Sequence, residues 1–274
     1  MSRALADIER SLIKKFRKEL WRPFVRAVKE YELIVPGDSI AVCISGGKDS
    51  LLLAKLLQEL HTHGNQNFSL QYIAMDPGYT KEKRSDMERA LAALQIPAHI
   101  YETDIFSVSD ELAGDYPCYL CARMRRGSLY AKAREIGANK IALGHHFDDI
   151  VETILLNILY AGKYNTMMPK LKATNFPGME LIRPLAYVKE ADILRFTDYA
   201  GLNPLDCACT VSAKRTGNQR YQVKALLADL RERIPQVDIS IYRSAQNVQL
   251  EQILGWKAQG EHHFFLDDYE KDDA

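Results

Sequence analysis

The chain has no long apolar run. No stretch approaches the ~20 residues needed to cross a bilayer, and Met1-Ser2-Arg3-Ala4-Leu5-Ala6-Asp7 lacks the apolar core of a secretion signal. No membrane association and a cytoplasmic location are therefore expected. Internal repeats and low-complexity linkers are absent. So is net charge, with 36 Lys and Arg against 36 Asp and Glu. That zero hides an uneven distribution: Asp267, Asp268, Glu270, Asp272 and Asp273 make the end acidic, and the body is correspondingly basic, which suits an anionic partner. Cysteine is sparse and odd in number, at Cys43, Cys118, Cys121, Cys207 and Cys209. An odd count without a secretion signal argues against a disulfide framework. Four of the five form tight pairs, C-x-x-C and C-x-C, a pattern that points to a metal site in a reducing compartment.

What is present is an ordinary globular composition, 47% hydrophobic and 26% charged over 274 residues, enough for one large domain or one with a small appendage. Its organising stretch is Ile44-Ser45-Gly46-Gly47-Lys48-Asp49-Ser50. An apolar run, Ser39 to Cys43, precedes it, and Leu51 to Leu57 follows. This reads as strand, glycine turn and helix, which aims backbone N–H groups and a helix N-terminus at one point and so suits a phosphate. Two glycines allow close backbone approach, Lys48 adds charge, and Ser45 and Ser50 add hydroxyls. The spacing is not that of a Walker A loop, which separates its first Gly from Gly-Lys by four residues. An ordinary strand-to-helix turn is the bland alternative.

Along the chain, Ile8, Leu12, Phe16 and Leu20 mark an apolar helical stripe within residues 8–32, decorated by Lys14, Lys15, Arg17, Lys18, Arg22 and Arg26. Pro23 is expected to divide it. The cations are either a solvated face or a surface for RNA phosphates. Further strands are expected at 70–75, 98–102, 140–143 and 180–184, and helices at 80–95, from about 117 to 136, 150–160, 189–200, 219–233 and 238–254. Asp76, before Pro77-Gly78, sits where open α/β sheets bind ligands, or serves only the turn. Pro117 to Gly127 places Cys118, Cys121 and the arginines Arg123, Arg125 and Arg126 in the first turns of a helix, with both sulfurs within reach of one metal or cluster; a thioredoxin-like redox pair is the rival. Gly144-His145-His146-Phe147-Asp148-Asp149 closes a strand. One aspartate suffices as an N-cap, and the surplus carboxylate suits the Mg²⁺ that accompanies a nucleotide. Residues 162–178 read as a long irregular segment whose Lys163 and Lys170 are candidate RNA contacts. Cys43, inside a strand, reads as packing, and the end with His262-His263 as an acidic tail.

Ser45-Gly46-Gly47-Lys48-Asp49-Ser50 resembles the pyrophosphate loop of the N-type ATP pyrophosphatases, the PP-loop superfamily. With Cys118-x-x-Cys121, Gly144-His145-His146-x-Asp148-Asp149 and a late Cys207, the chain is similar to the tRNA 2-thiocytidine synthetases and the related 2-thiouridine enzymes, over residues 10 to 255. The resemblance implies an α/β fold: a parallel five-stranded Rossmann-like (adenine nucleotide alpha hydrolase-like) sheet with flanking helices and helical N- and C-terminal extensions. It implies a basic N-terminal helical region over 1–36, a PP-loop ATP pyrophosphatase domain over 37–205, a helical region over 206–258 and an acidic tail over 259–274.

The implied activity is ATP-dependent tRNA thiolation. The O2 of a pyrimidine, a cytidine in the anticodon loop, is adenylated and then replaced by sulfur. ATP, Mg²⁺ and a 4Fe-4S cluster are implied, with tRNA and a sulfur donor (a cysteine desulfurase or sulfide) as partners, and a homodimer kept open. Lys48, Asp49 and Asp149 are the implied catalytic residues. Ser45, Gly46, Gly47, Ser50, Asp76, Gly144, His145 and Asp148 would surround the nucleotide, and Cys118, Cys121 and Cys207 would hold the cluster. Arg123, Arg125, Arg126, Lys163 and Lys170 are the tRNA candidates. The zinc-binding cysteines at the two ends of the 2-thiouridine enzymes have no counterpart here, which favours the thiocytidine side. Cys209 competes with Cys207; as a fourth ligand it would close the site and allow a structural zinc. The rivals are therefore the same ATP chemistry on another substrate, in lysidine or amide formation, and a zinc-stabilised RNA-binding module.

Overall fold

The computed structural model describes residues 3–64, 67–106, 108, 117–205, 217–267 and 269, with side chains for all of these except 117–121, 217 and 218. Its centre is β1 (Ser39–Ile44), whose last five residues are buried. β1 pairs in parallel with β2 (Ser69–Asp76) on one side and β4 (Lys140–Ala142) on the other. A strand covered on both faces must be apolar at every position rather than alternating. Ile40, Val42 and Ile44 pack into the larger core, Ala41 and Cys43 into a second one on the opposite face, as the period of two demands. Cys43 is therefore a packing residue, and burial pushes its thiol up to about 12.

β3 (Ala98–Glu102) extends the sheet beyond β2, and β6 (Glu180–Ile182) extends it beyond β4, both in parallel. The five expected parallel strands are present. A sixth was not expected: β5 (Lys170–Lys172) pairs antiparallel with β6, giving the order β3-β2-β1-β4-β6-β5. The reading of 162–178 as irregular throughout is thus corrected. Three residues of alternating Lys-Leu-Lys are too short to signal a strand, and flanking lysines are a common feature of a sheet edge.

Helices cover both faces: α1 (Leu5–Ile13), α2 (Arg22–Glu30), α3 (Lys48–His63), α4 (Lys81–Ala93), α5 (Pro117–Glu135), α6 (Phe147–Ala161), α7 (Glu190–Ala200), α8 (Gly217–Arg233) and α9 (Val237–Ser244). Ile8, Leu12, Phe16 and Leu20 are all at most 5% exposed, so the apolar stripe does form the inner face of the N-terminal region. Its break, however, is not at Pro23. A π-helical turn, Arg17–Trp21, runs into α2, and Pro23 lies in the first turn of α2, where a missing N–H costs nothing.

The expected helix over 238–254 is also corrected. α9 stops at Ser244, and Gly255–Ala258 and Glu261–Phe264 form an antiparallel hairpin, β7 and β8. Val248, Leu250 and Leu254 are exposed, so there is no core surface to sustain a longer helix. His262 and His263 lie in β8, with His263 stacked on Trp256, and not in a tail. The strand order reverses between β1 and β4. In open parallel sheets the crevice at such a reversal, beyond the C-terminal strand ends, is where ligands bind.

Candidate active site

The loop after β1 is shaped by two close approaches. Gly46 has φ +80°, and a Cβ there would stand 2.5 Å from Leu205 Cδ1; the Leu205 N–H donates to the Gly46 carbonyl at 2.9 Å. Gly144, after β4, abuts the first turn of α3, where a Cβ would meet Asp49 C and Ser50 N at 3.0 Å. The serines brace the loop. Ser50 Oγ donates to the Gly47 carbonyl at 2.9 Å and accepts from the Ser45 N–H at 3.2 Å, and Ser45 Oγ donates to Ser50 Oγ at 3.2 Å. Gly47 caps α3 with extended backbone. The first-turn amides of α3, which have no acceptor inside the helix, therefore face the crevice with the positive end of its dipole.

Lys48 Nζ lies 3.2 Å from Asp49 Oδ1 and 3.1 Å from Glu190 Oε1. Burial raises the Asp49 carboxyl above its ordinary range, although His146 and Lys48 oppose this. Burial also works against Glu190, but the hydrogen bond and charge of Lys48 and the charge of Lys224 bring it down to about 2. His145 Nδ1 and His146 Nδ1 are buried polar atoms that make no hydrogen bond among the described residues, and buried Asp49 Oδ1 makes none either but has the ion pair with Lys48. Buried polar atoms are almost always satisfied, so such atoms at the rim of a glycine loop fit a polar, charged ligand such as a nucleotide with its metal.

The cluster after β4 divides its labour. Asp149 Oδ2 accepts the His146 N–H at 3.0 Å, capping α6, and Oδ1 accepts from Arg220 at 2.8 Å. Burial tends to raise its carboxyl, but His146, through charge and backbone N–H, and His145 and Arg220 lower it. Asp148 is not the cap. Its Oδ2 accepts the Glu190 N–H at 2.8 Å, and its Oδ1 binds Arg231 at 2.6 Å, so this carboxylate braces α7. Burial brings His145 down to about 4, with Arg183 and Arg220 acting in the same direction against Asp149. It is neutral at pH 7.

Asp76 is committed to the turn. Its Oδ1 accepts from the Gly78 and Tyr79 amides at 3.0 and 2.7 Å, and its Oδ2 from Arg84 at 2.7 Å. The sequence reading missed Glu190, Glu152, which is buried and holds Arg220 at 2.9 Å, and Arg183. Arg183 is buried after β6, with Nε lacking an acceptor among the described residues, and burial brings its guanidinium down to about 10, with Arg126 adding repulsion. None of the three stands in a local motif; each matters through partners distant in sequence.

Cys118 and Cys121 occupy the first turns of α5, three residues and so about one turn apart. That position and thiolate chemistry fit an iron–sulfur cluster; among the described residues no group of three His, Cys, Asp or Glu forms a metal cage. Cys207 and Cys209 lie outside the described residues, but Leu205, two residues before Cys207, is the residue bonded to Gly46. Arg123 and Arg126 are exposed and Arg125 half-buried. Lys163 is exposed, whereas Lys170 Nζ donates to the Glu32 carbonyl at 2.8 Å and ties β5 to the N-terminal region.

A PP-loop domain model matches residues 14–205. The chain is 38% identical over 250 residues to the tRNA-cytidine(32) 2-sulfurtransferase of Alcanivorax borkumensis, covering 89% of this chain and 86% of that protein. It is 39% identical over 243 residues to the enzyme of the same name from Acaryochloris marina, covering 88% and 85%. Among solved structures it is similar to the U34-tRNA thiolase NcsA from Methanococcus maripaludis with its 4Fe-4S cluster. That match has a TM-score of 0.69 and 24% identity, and covers 89% of this chain and 80% of that one. At that identity the likeness is one of fold.

Proposed function

The chain belongs to the PP-loop family and, within it, to the tRNA-cytidine 2-sulfurtransferases, and from that membership we propose how its residues divide the reaction. The protein is an enzyme of ATP-dependent tRNA thiolation acting on cytidine. The base is proposed to be nucleotide 32, as in the names of its relatives.

In this reading the glycine loop, the first-turn amides of α3 and Lys48 hold the phosphates of ATP. The cytidine O2 attacks the α-phosphorus, the bond to pyrophosphate breaks, and C2 then carries an adenylate, a far better leaving group than a bare carbonyl oxygen. A sulfur nucleophile adds to C2, and the C2–O bond breaks to release AMP. Glu190 and Asp49 hold Lys48 where the departing pyrophosphate needs charge. Asp49 and Asp149 are the carboxylates for Mg²⁺, which neutralises phosphate charge when bound. Asp148 keeps α7 in place, Asp76 stiffens the rim, and neutral His145 offers a hydrogen-bonding edge to the nucleotide. When bound at Cys118, Cys121 and Cys207, a 4Fe-4S cluster supplies an iron with an open position for sulfur.

The observation that carries this reading is the Leu205–Gly46 hydrogen bond. It fixes the phosphate loop to a residue that stands, in sequence, two positions before Cys207. Arg123, Arg125, Arg126 and Lys163 are proposed tRNA contacts, with sulfide or a desulfurase persulfide as sulfur donor and a homodimer as the assembly. Among the described residues no helix is long and apolar enough to cross a membrane, and a cytoplasmic location is proposed. So is the division of the chain at 36, 205 and 258, with the C-terminal hairpin extending the last part.

Anaerobic purification tests the proposal. A brown protein with iron and sulfide that forms AMP and pyrophosphate only with tRNA supports it. A colourless protein holding one zinc contradicts it.

A further inference from the structure

Residues of α2 and α9 line a cavity of about 340 Å³, within the ~300–1,000 Å³ range of small-ligand sites. Its lining includes Lys18, Arg22, Arg26, Lys189 and Arg243, and no carboxylate. Arg26 is paired with Glu30 at 2.8 Å and Lys189 with Asp238 at 3.3 Å. Lys18, Arg22 and Arg243 have no ion pair among the described residues. Three such cations on one face give it a positive potential that an anion would meet.

The floor is aromatic and fixed. Phe147 stacks on Tyr242 with centroids 5.0 Å apart. Tyr31 OH lies 2.6 Å from Tyr187 OH and 2.7 Å from Tyr242 OH. The Arg26 guanidinium stands 4.4 Å over the Tyr187 ring. Rings held this way lose little freedom when something binds against them.

The cavity also shares a wall with the nucleotide site. Phe147 and Lys189 line it, and the Phe147 N–H donates to Val188 O at 3.0 Å. Their chain neighbours are His146, Asp148 and Glu190, which belong to the nucleotide site. Arg22 and Arg26 also line a second, open depression with Arg17, Trp21 and Lys29, where the carboxylate is Glu30, paired with Arg26. Cations drawn from the π turn, α2, residue 189 and α9 suit a polyanionic strand, which presents several phosphates at once.

We infer that this cavity is an RNA-phosphate site: it grips the backbone of the tRNA strand next to the target cytidine while the glycine loop holds ATP. The inference rests on tRNA being the substrate, and it assigns to Lys18, Arg22 and Arg243 a contact separate from the arginines of α5. The test is tRNA affinity of the anaerobically prepared protein over a salt series, for wild type, R22E/R243E and the charge-keeping R22K/R243K.

The Glu pair is expected to raise Kd by about tenfold or more and to lower the slope of log affinity against log salt by about two, with an unchanged melting temperature. The Lys pair is expected to bind nearly as wild type. A Glu pair with wild-type Kd and slope overturns the inference, as does a Lys pair that loses as much affinity as the Glu pair. A wild-type protein that does not bind tRNA overturns the substrate reading itself.

Discussion

Lys48 and Glu190 are 142 residues apart in sequence, yet their side chains meet at 3.1 Å across the site. The contact depends on a second one, because the Glu190 N–H that fixes the start of α7 is held by Asp148 Oδ2 at 2.8 Å. The loop's cation is thus positioned by α7, and α7 by α6.

Replacing Asp148 should therefore act at a distance. D148A removes a buried acceptor from the Glu190 amide and from Arg231, and should cost about 2 kcal/mol of stability together with weaker ATP binding. E190Q leaves α7 anchored and removes only the charge of a partly buried carboxylate that pairs with Lys48 and Lys224, so it should cost less stability than D148A while weakening ATP binding. Denaturant melts and ATP titrations of the two variants check the contrast. Equal, small effects would mean that Asp148 does not brace α7.

The glycine loop makes a steric prediction. G46A places a Cβ 2.5 Å from Leu205 Cδ1 at a φ of +80°, a backbone region that costs a residue with a side chain about 1–2 kcal/mol even without a clash. It should lower stability by at least that amount and abolish measurable ATP binding in calorimetry. Wild-type ATP affinity in this variant would show that the loop does not hold phosphate.

Acid stability should depend on a pair remote from the chemistry. Asp38 Oδ2 and Lys140 Nζ lie 2.8 Å apart with both side chains 3% exposed. Burial would raise the Asp38 carboxyl, but Lys140, the Val35 N–H and Asn139 together lower it below its ordinary 3.8. A depressed carboxyl contributes stability above the unfolded-state value and loses it as pH falls through the folded one, so this contribution disappears below about pH 4. D38N should cost about 3 kcal/mol at neutral pH and flatten the acid limb of a pH–stability curve below pH 4. An unchanged acid limb would exclude Asp38 as its source.

Two of the expected RNA contacts should separate. Lys163 is exposed, and its replacement by Ala should weaken tRNA binding without changing stability. Lys170 is tied to the Glu32 carbonyl, and K170A should lower the melting temperature more than it lowers tRNA affinity. Filter binding alongside thermal melts distinguishes the two; the opposite ranking would put Lys170 on the RNA.

The parallel strands and the glycine loop were legible because their signals are local. β1 carries an unbroken apolar run from Ile40 to Ile44, just before the Ser45-Gly46-Gly47 turn, and the first turn of α3 reads directly from Lys48-Asp49-Ser50. The division of labour between Asp148 and Asp149 was not legible. Adjacent identical residues give no hint that one caps its own helix while the other reaches Glu190, 42 residues away. Asp76 was ambiguous for a related reason, since a rim position suits a ligand and a turn equally; the Gly78, Tyr79 and Arg84 contacts show its part in the turn. β5 and the β7–β8 hairpin are too short for a periodicity to register, and both are held by pairing partners rather than by their own composition. Sequence alone also does not choose between Cys207 and Cys209, because two thiols separated by one residue present the same chemistry.

The central proposal is that the cysteines and the ATP loop act in one reaction. Mass spectrometry of nucleosides from tRNA incubated anaerobically with the protein, ATP and sulfide measures this directly. Wild type should convert cytidine to 2-thiocytidine, and C118A should form none while binding ATP with wild-type affinity. Thiocytidine at wild-type yield from C118A, or none from the iron-loaded wild type, would contradict it.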